Sequence, residues 1–109
     1  MNEETHYHVL KYIEENPSIT QRELAKELGV SVGKANYCLK ALIDKGWVKA
    51  NNFKNSNKKL AYFYILTPRG IEQKAIITVN FLKRKIKDYK ELREEIEMLK
   101  NELKIDDTE

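Results

Sequence analysis

The stretch SITQRELAKELGVSVGKANYCLKALIDKGWV, Ser18 to Val48, decides the fold. It opens on TQRE, in which the Thr20 hydroxyl and the Glu23 carboxylate, three residues apart, can each satisfy an orphan backbone amide at a helix start. Leu24, Ala25 and Leu28 then give a short helix one apolar face. Gly29 suits the left-handed exit that a tight turn requires. Ser31 can cap a second helix, whose apolar stripe is Ala35, Cys38, Leu39, Leu42 and Ile43. Two short helices joined by a Gly-containing turn form a helix-turn-helix. An ordinary helical hairpin has the same outline, and the outward face of the second helix separates the two. That face carries Gly33, Lys34, Asn36, Tyr37 and Lys40. Small residues at its start let the backbone approach a surface, and amides and lysines can meet bases and phosphates.

Upstream, His6, Val9, Leu10 and Ile13 recur at helical spacing between about Glu3 and Glu15. Pro17 ends that helix, because proline disfavours the helical conformation in the residue before it. Downstream, Gly46 can stop the second helix of the pair, and WVKA begins a strand. NNFKNSNKK, residues 51–59, has the composition of an exposed loop. LAYFYIL alternates, with Leu60, Tyr62, Tyr64 and Leu66 on one face and Ala61, Phe63 and Ile65 on the other, as a strand does. Strand, basic loop and strand after a helix-turn-helix make a wing, with Trp47 and the strand aromatics packing it on the helices.

TPRG starts the last element, with Thr67 as N-cap and Pro68 at the first helical position, where no amide hydrogen is needed. Nothing breaks the helix until about Leu103. Ala75, Val79, Leu82, Ile86, Tyr89, Leu92, Ile96, Leu99 and Leu103 step by threes and fours, the coiled-coil repeat with one phase slip near Tyr89. Ile71 to Val79 is expected to pack on the domain itself. Beyond Lys83 no other element is long enough to cover the seam, so Leu82, Ile86, Tyr89, Leu92, Ile96, Leu99 and Leu103 are expected to dimerise with a second copy. Acids and bases are mixed along Lys83 to Lys104 and leave parallel and antiparallel pairing open.

The charge is uneven. The 109 residues carry a net charge of +3, but residues 1–30 hold three bases against six acids, and residues 31–60 hold seven lysines against Asp44 alone. The positive field is centred on the opening stretch, as a polyanion-facing surface would have it. The candidate DNA contacts are therefore Thr20, Gln21 and Arg22 at the first helix start, Ser31, Gly33, Lys34, Asn36, Tyr37 and Lys40 on the second, and Lys54, Asn55, Asn57, Lys58 and Lys59 in the wing.

Other chemistries fare worse. GVSVGKA lacks the spacing of a phosphate-binding loop, and Ala35 stands where Ser or Thr is required. His6 and His8 point to different helix faces and make poor metal ligands, with His6 facing the core. Cys38 lies on an apolar stripe and reads as a small core residue; a single cysteine gives neither an intrachain disulfide nor a zinc cluster. No nucleophile–base pair is visible, so no enzyme, cofactor or metal is expected. The longest apolar run is Leu60 to Leu66, far short of a membrane span, and the opening NEETHYH is not a secretory signal, so the expected location is cytoplasmic.

The block GKANYCLKALIDKGWVKANNFKNSNKKLAYFYILTPRGIEQKA resembles winged-helix regulators of the MarR type, and more closely the branch of exopolysaccharide (EPS)-associated MarR-family transcriptional regulators. The likeness runs from about Tyr7 to Leu99. It implies a bacterial or archaeal regulator that binds double-stranded DNA at an inverted repeat as a homodimer and is associated with exopolysaccharide gene clusters. Almost nothing precedes the first helix, and a single long helix stands where larger members have several, which leaves a phenolic-ligand pocket at the dimer interface without support. The expected architecture is mainly α with a small β-hairpin: a winged helix-turn-helix over residues 1–70, a coiled-coil-like dimerisation helix over 71–104 and a disordered tail over 105–109. A winged-helix module that binds protein or RNA is the alternative.

Overall fold

A computed structural model describes Asn2–Lys54 and Leu60–Lys104, and for residues 52–54 and 60–62 the backbone alone. The order is α1 (Glu3–Glu15), α2 (Gln21–Leu28), α3 (Val32–Asp44), β1 (Val48–Lys54), β2 (Leu60–Leu66) and α4 (Pro68–Leu103). This is a winged helix-turn-helix followed by a long C-terminal helix. The chain divides into two units, Met1–Thr78 and Val79–Glu109.

Local chemistry sets the helix ends. At α2 the capping box closes in both directions: Glu23 N donates to Thr20 Oγ1 and Thr20 N donates to Glu23 Oε1, each at 3.0 Å. Those bonds to Thr20, the backbone one first, hold the Glu23 carboxyl below the ordinary carboxylate range. Gly29 (φ 69°) leaves α2 in the left-handed region, as the turn requires, and Gly46 (φ 77°) does the same after α3. Ser31 caps α3 by accepting from Lys34 N at 3.1 Å. Thr67 does so for α4, accepting from Gly70 N at 3.0 Å.

The core of the first unit is formed by the apolar stripes meeting each other. Val9, Leu10 and Ile13 of α1, Leu24 and Ala25 of α2, and Ala35, Cys38, Leu39 and Leu42 of α3 are buried, with Ile19, Val48 and Tyr64. Ile43, Leu28, Leu66 and Trp47 are half-buried against it. β1 and β2 pair antiparallel from Val48↔Leu66 to Lys54↔Leu60. The strand alternation holds where side chains are described: Tyr64 is buried, while Phe63 and Ile65 are exposed.

Two expectations need correcting. Asn51–Lys54 are strand, not loop, because each finds a ladder partner on β2. Cross-strand pairing overrides the loop-like composition, which is a local signal only. Within the first unit, the buried face of α4 is also not the heptad stripe. Ile71, Ala75 and Val79 are exposed, whereas Gly70 and Ile77, one heptad apart, are buried.

His6 is core-facing, as its spacing indicates. It is buried edge-on against Trp47, with ring centroids 5.5 Å apart, and its Nε2 has no hydrogen-bond partner among the described residues. Burial, with Lys45 adding to it and Glu3 opposing it, lowers its pKa below the ordinary 6.5. The unfolded chain therefore binds the His6 proton more readily than the native one. Its stabilising effect is intact above pH 6.5 and is lost as pH falls from there through the folded-state value. Urea midpoints at pH 7.5 and pH 5 should differ less in His6→Phe than in the parent. An identical pH dependence in both proteins would show that His6 does not carry it.

Candidate nucleic-acid interface

The α3 helix sorts its residues by face. Ala35, Cys38, Leu39 and Leu42 enter the core, which turns Gly33, Lys34, Asn36, Tyr37 and Lys40 outward, all exposed. Tyr37 is 64% exposed, too much for a packing residue, and the Lys34 ammonium stands 5.6 Å from its ring centroid. The two form a cationic–aromatic pair at the open start of the helix. Ser31 lies just before them, exposed, with its hydroxyl occupied as acceptor by the Lys34 amide but still able to donate.

At the start of α2, Thr20 and Arg22 are exposed and Gln21 is half-buried. The Thr20 hydroxyl, like that of Ser31, already accepts a capping bond. The candidates on α2 thus sit at its start and those on α3 run from its start along the outward face to Lys40, the two helices being joined by the turn through Gly29. Of the wing candidates, Lys54 ends β1, and its side chain is outside the description. Asn55, Asn57, Lys58 and Lys59 lie outside the described residues, as does the 105–109 segment.

Several positioning residues escape a reading by sequence. The Thr67 hydroxyl donates to Gly46 O at 2.6 Å, while Thr67 N donates to Trp47 O at 3.0 Å. One residue therefore ties the start of α4 to the end of α3. Gly70 lies so close to Trp47 that a Cβ would overlap the Trp47 carbonyl oxygen. Tyr64 N donates to Pro17 O at 2.8 Å, which ties β2 to the α1–α2 connection. Lys49, exposed beside buried Val48, adds a cation on the wing that the alternation in WVKA signals. Among the described residues no group of His, Cys, Asp and Glu could hold a metal ion, and no helix is long and apolar enough to cross a membrane.

Residues 2–49 match the family model described as winged helix-turn-helix DNA-binding. No curated protein matches the sequence. Solved structures do. A MarR/EmrR family transcriptional regulator from Acinetobacter sp. ADP1 aligns with 92% of this chain and 72% of its own, at 17% identity and a TM-score of 0.64. The S. aureus MepR–DNA complex aligns with 91% and 71%, at 22% identity and a TM-score of 0.63. An E. coli MarR mutant complexed with operator DNA is 32% identical over 66% of this chain and 50% of its own, with a TM-score of 0.53.

Proposed function

We infer that this chain, a winged helix-turn-helix protein of the MarR type, is a DNA-binding transcriptional regulator that holds its operator as a homodimer. One observation carries the reading of the interface: a helix with a fully buried inner face presents Gly33, Lys34, Asn36, Tyr37 and Lys40 outward together. Among the described residues these side chains are exposed rather than part of the core. Their chemistry suits a major groove, where amide and lysine groups meet base edges and phosphates. That MepR and a MarR mutant have been solved with DNA supports the same use of this fold.

In this reading α3 reads bases, while the start of α2 and the wing lysines hold phosphates. The seam from Leu82 to Leu103 joins two copies about a two-fold axis. Two such readers meet successive major grooves about 10 base pairs apart, so the operator is an inverted repeat. That the controlled genes are those of exopolysaccharide assembly rests on the sequence resemblance alone. The protein works by binding and is not an enzyme.

Selection of bound duplexes from a random pool, followed by gel shifts with duplex DNA, RNA and salt-matched controls, tests the reading. Asn36→Ala should relax preference at particular base pairs by roughly 1–3 kcal/mol for each lost contact. Lys58→Ala with Lys59→Ala should weaken all duplexes alike and flatten the salt dependence. If the wing variant changed base preference while Asn36→Ala did not, the two roles would be reversed. Equal binding to RNA, or none to either nucleic acid, would turn the assignment to the RNA or protein module.

A further inference from the structure

The dimer just proposed leaves open which way the two helices run, and α4 itself contains the answer. Across its second unit the seam side chains Leu82, Ile86, Tyr89, Leu92, Ile96, Leu99 and Leu103 are 42–69% exposed. The charges beside them look mixed only when counted over the whole length. Residues 79–90 carry Lys83, Arg84, Lys85, Lys87 and Lys90 against Asp88, a net +4. Residues 91–103 carry Glu91, Glu94, Glu95, Glu97 and Glu102 against Arg93 and Lys100, a net −3. A parallel pair lays base beside base and acid beside acid along its whole length. An antiparallel pair lays each basic half on an acidic one.

The seam agrees with the charge. Its steps make Leu82, Tyr89, Leu92 and Leu99 d positions and Ile86, Ile96 and Leu103 a positions, with the slip between Tyr89 and Leu92. Run one copy backwards and Leu82 meets the partner's Leu103, Ile86 meets the partner's Leu99, and Tyr89 meets the partner's Ile96. Each layer is then a d against an a, and the residue numbers of each pair sum to the same value. The axis passes beside Leu92, so the phase slips of the two copies lie on either side of the centre of the pair. β-Branched residues at a with leucine at d favour two strands in parallel dimers; Leu103 at a and Tyr89 at d depart from that pattern here, and the charge polarity chooses the direction.

We propose that α4 pairs with a second copy of itself as an antiparallel coiled coil centred near Leu92, with Leu82 packed on the partner's Leu103. This rests on the dimer reading above, and the test separates the two. Sedimentation equilibrium of the full chain comes first; a monomer there removes the dimer, and with it the orientation. For a dimeric chain, Leu82→Cys and Leu103→Cys are prepared separately and oxidised in glutathione buffer, alone and as a re-equilibrated equal mixture, with the unsubstituted chain controlling for buried Cys38. Disulfides need Cα atoms within about 7 Å, so the mixture should yield about tenfold more cross-linked dimer than either variant alone. Ile86→Cys with Leu99→Cys repeats the experiment one layer inward, should the first pair perturb the helix. Efficient self-linking of Leu82→Cys would establish parallel helices. A dimer that links in neither arrangement, at either layer, would place the interface elsewhere. Either result overturns the proposal.

Discussion

Gly70→Ala is expected to be among the most damaging single substitutions in the chain, lowering the unfolding free energy by about 3 kcal/mol or more, at the upper end of what overpacking costs. The added Cβ would overlap the carbonyl oxygen of Trp47 and stand 2.9 Å from its carbonyl carbon and 3.2 Å from its Cα. That wall is backbone, so no side-chain rotation relieves it. The helix must lift from the α3–β1 turn, and Thr67 N→Trp47 O and Thr67 Oγ1→Gly46 O lengthen with it. For a small domain with roughly 5–15 kcal/mol to lose, the thermal midpoint should fall by more than about 10 °C. Gly33→Ala is the control. No atom lies closer than 4.0 Å to a Cβ there, and in a helix alanine is better than glycine by about 0.5–1 kcal/mol, so this variant should melt at or above the parent. Melting followed by circular dichroism decides the matter. Parental stability in Gly70→Ala would mean that the close approach does not exist.

The second large effect belongs to the proposed dimer. A chain ending at Lys85 keeps the whole of the first unit but loses every seam residue beyond Leu82. It should be folded and monomeric by sedimentation equilibrium. On a single half-site it should bind as weakly as one reader can. On the inverted repeat it should bind about 10²–10⁴-fold more weakly than the full chain, because the second contact is no longer intramolecular. A truncated chain that stayed dimeric would move the interface into the first unit. A full chain that stayed monomeric at tens of micromolar would remove the dimer and the inverted repeat together.

The parts of this fold that sequence makes legible are those with local causes. Thr20 with Glu23, Ser31 and Thr67 announce helix starts because a cap is satisfied within three residues. The stripes of α1, α2 and α3 are visible because helical spacing is short-range. What escapes depends on partners distant in the chain. Asn51–Lys54 read as loop until residues 60–63 are laid beside them. The inward face of α4 consists of little more than Gly70 and Ile77, and the stronger seven-residue rhythm of the seam hides it. Gly70 reads only as part of the helix-opening TPRG, although its importance is the backbone of Trp47 beside it. On the interface, the outward face of α3 follows from the burial of its inner one. Thr20 and Ser31 are legible as caps, and the capping bonds are present; their reading as DNA contacts is a proposal.

The ties that close the first unit also bear on the order in which it can assemble. Within α1 to α3, caps and turns span a few residues. The closing bonds span far more: Trp47 to Thr67, Pro17 to Tyr64, and Glu14 to Lys74, the last an ion pair across 60 positions. Long sequence separations must be brought together before they return any stability, and that slows folding. A chain made from its N-terminus therefore offers three helices early and seals them late. The sealing residues, Tyr64 through Ile77, are followed by the stretch proposed to join two copies. Synthesis thus delivers the proposed DNA-reading helix first, the residues that seal it second and the proposed pairing stretch after them, so a chain can close its first unit before that stretch is complete.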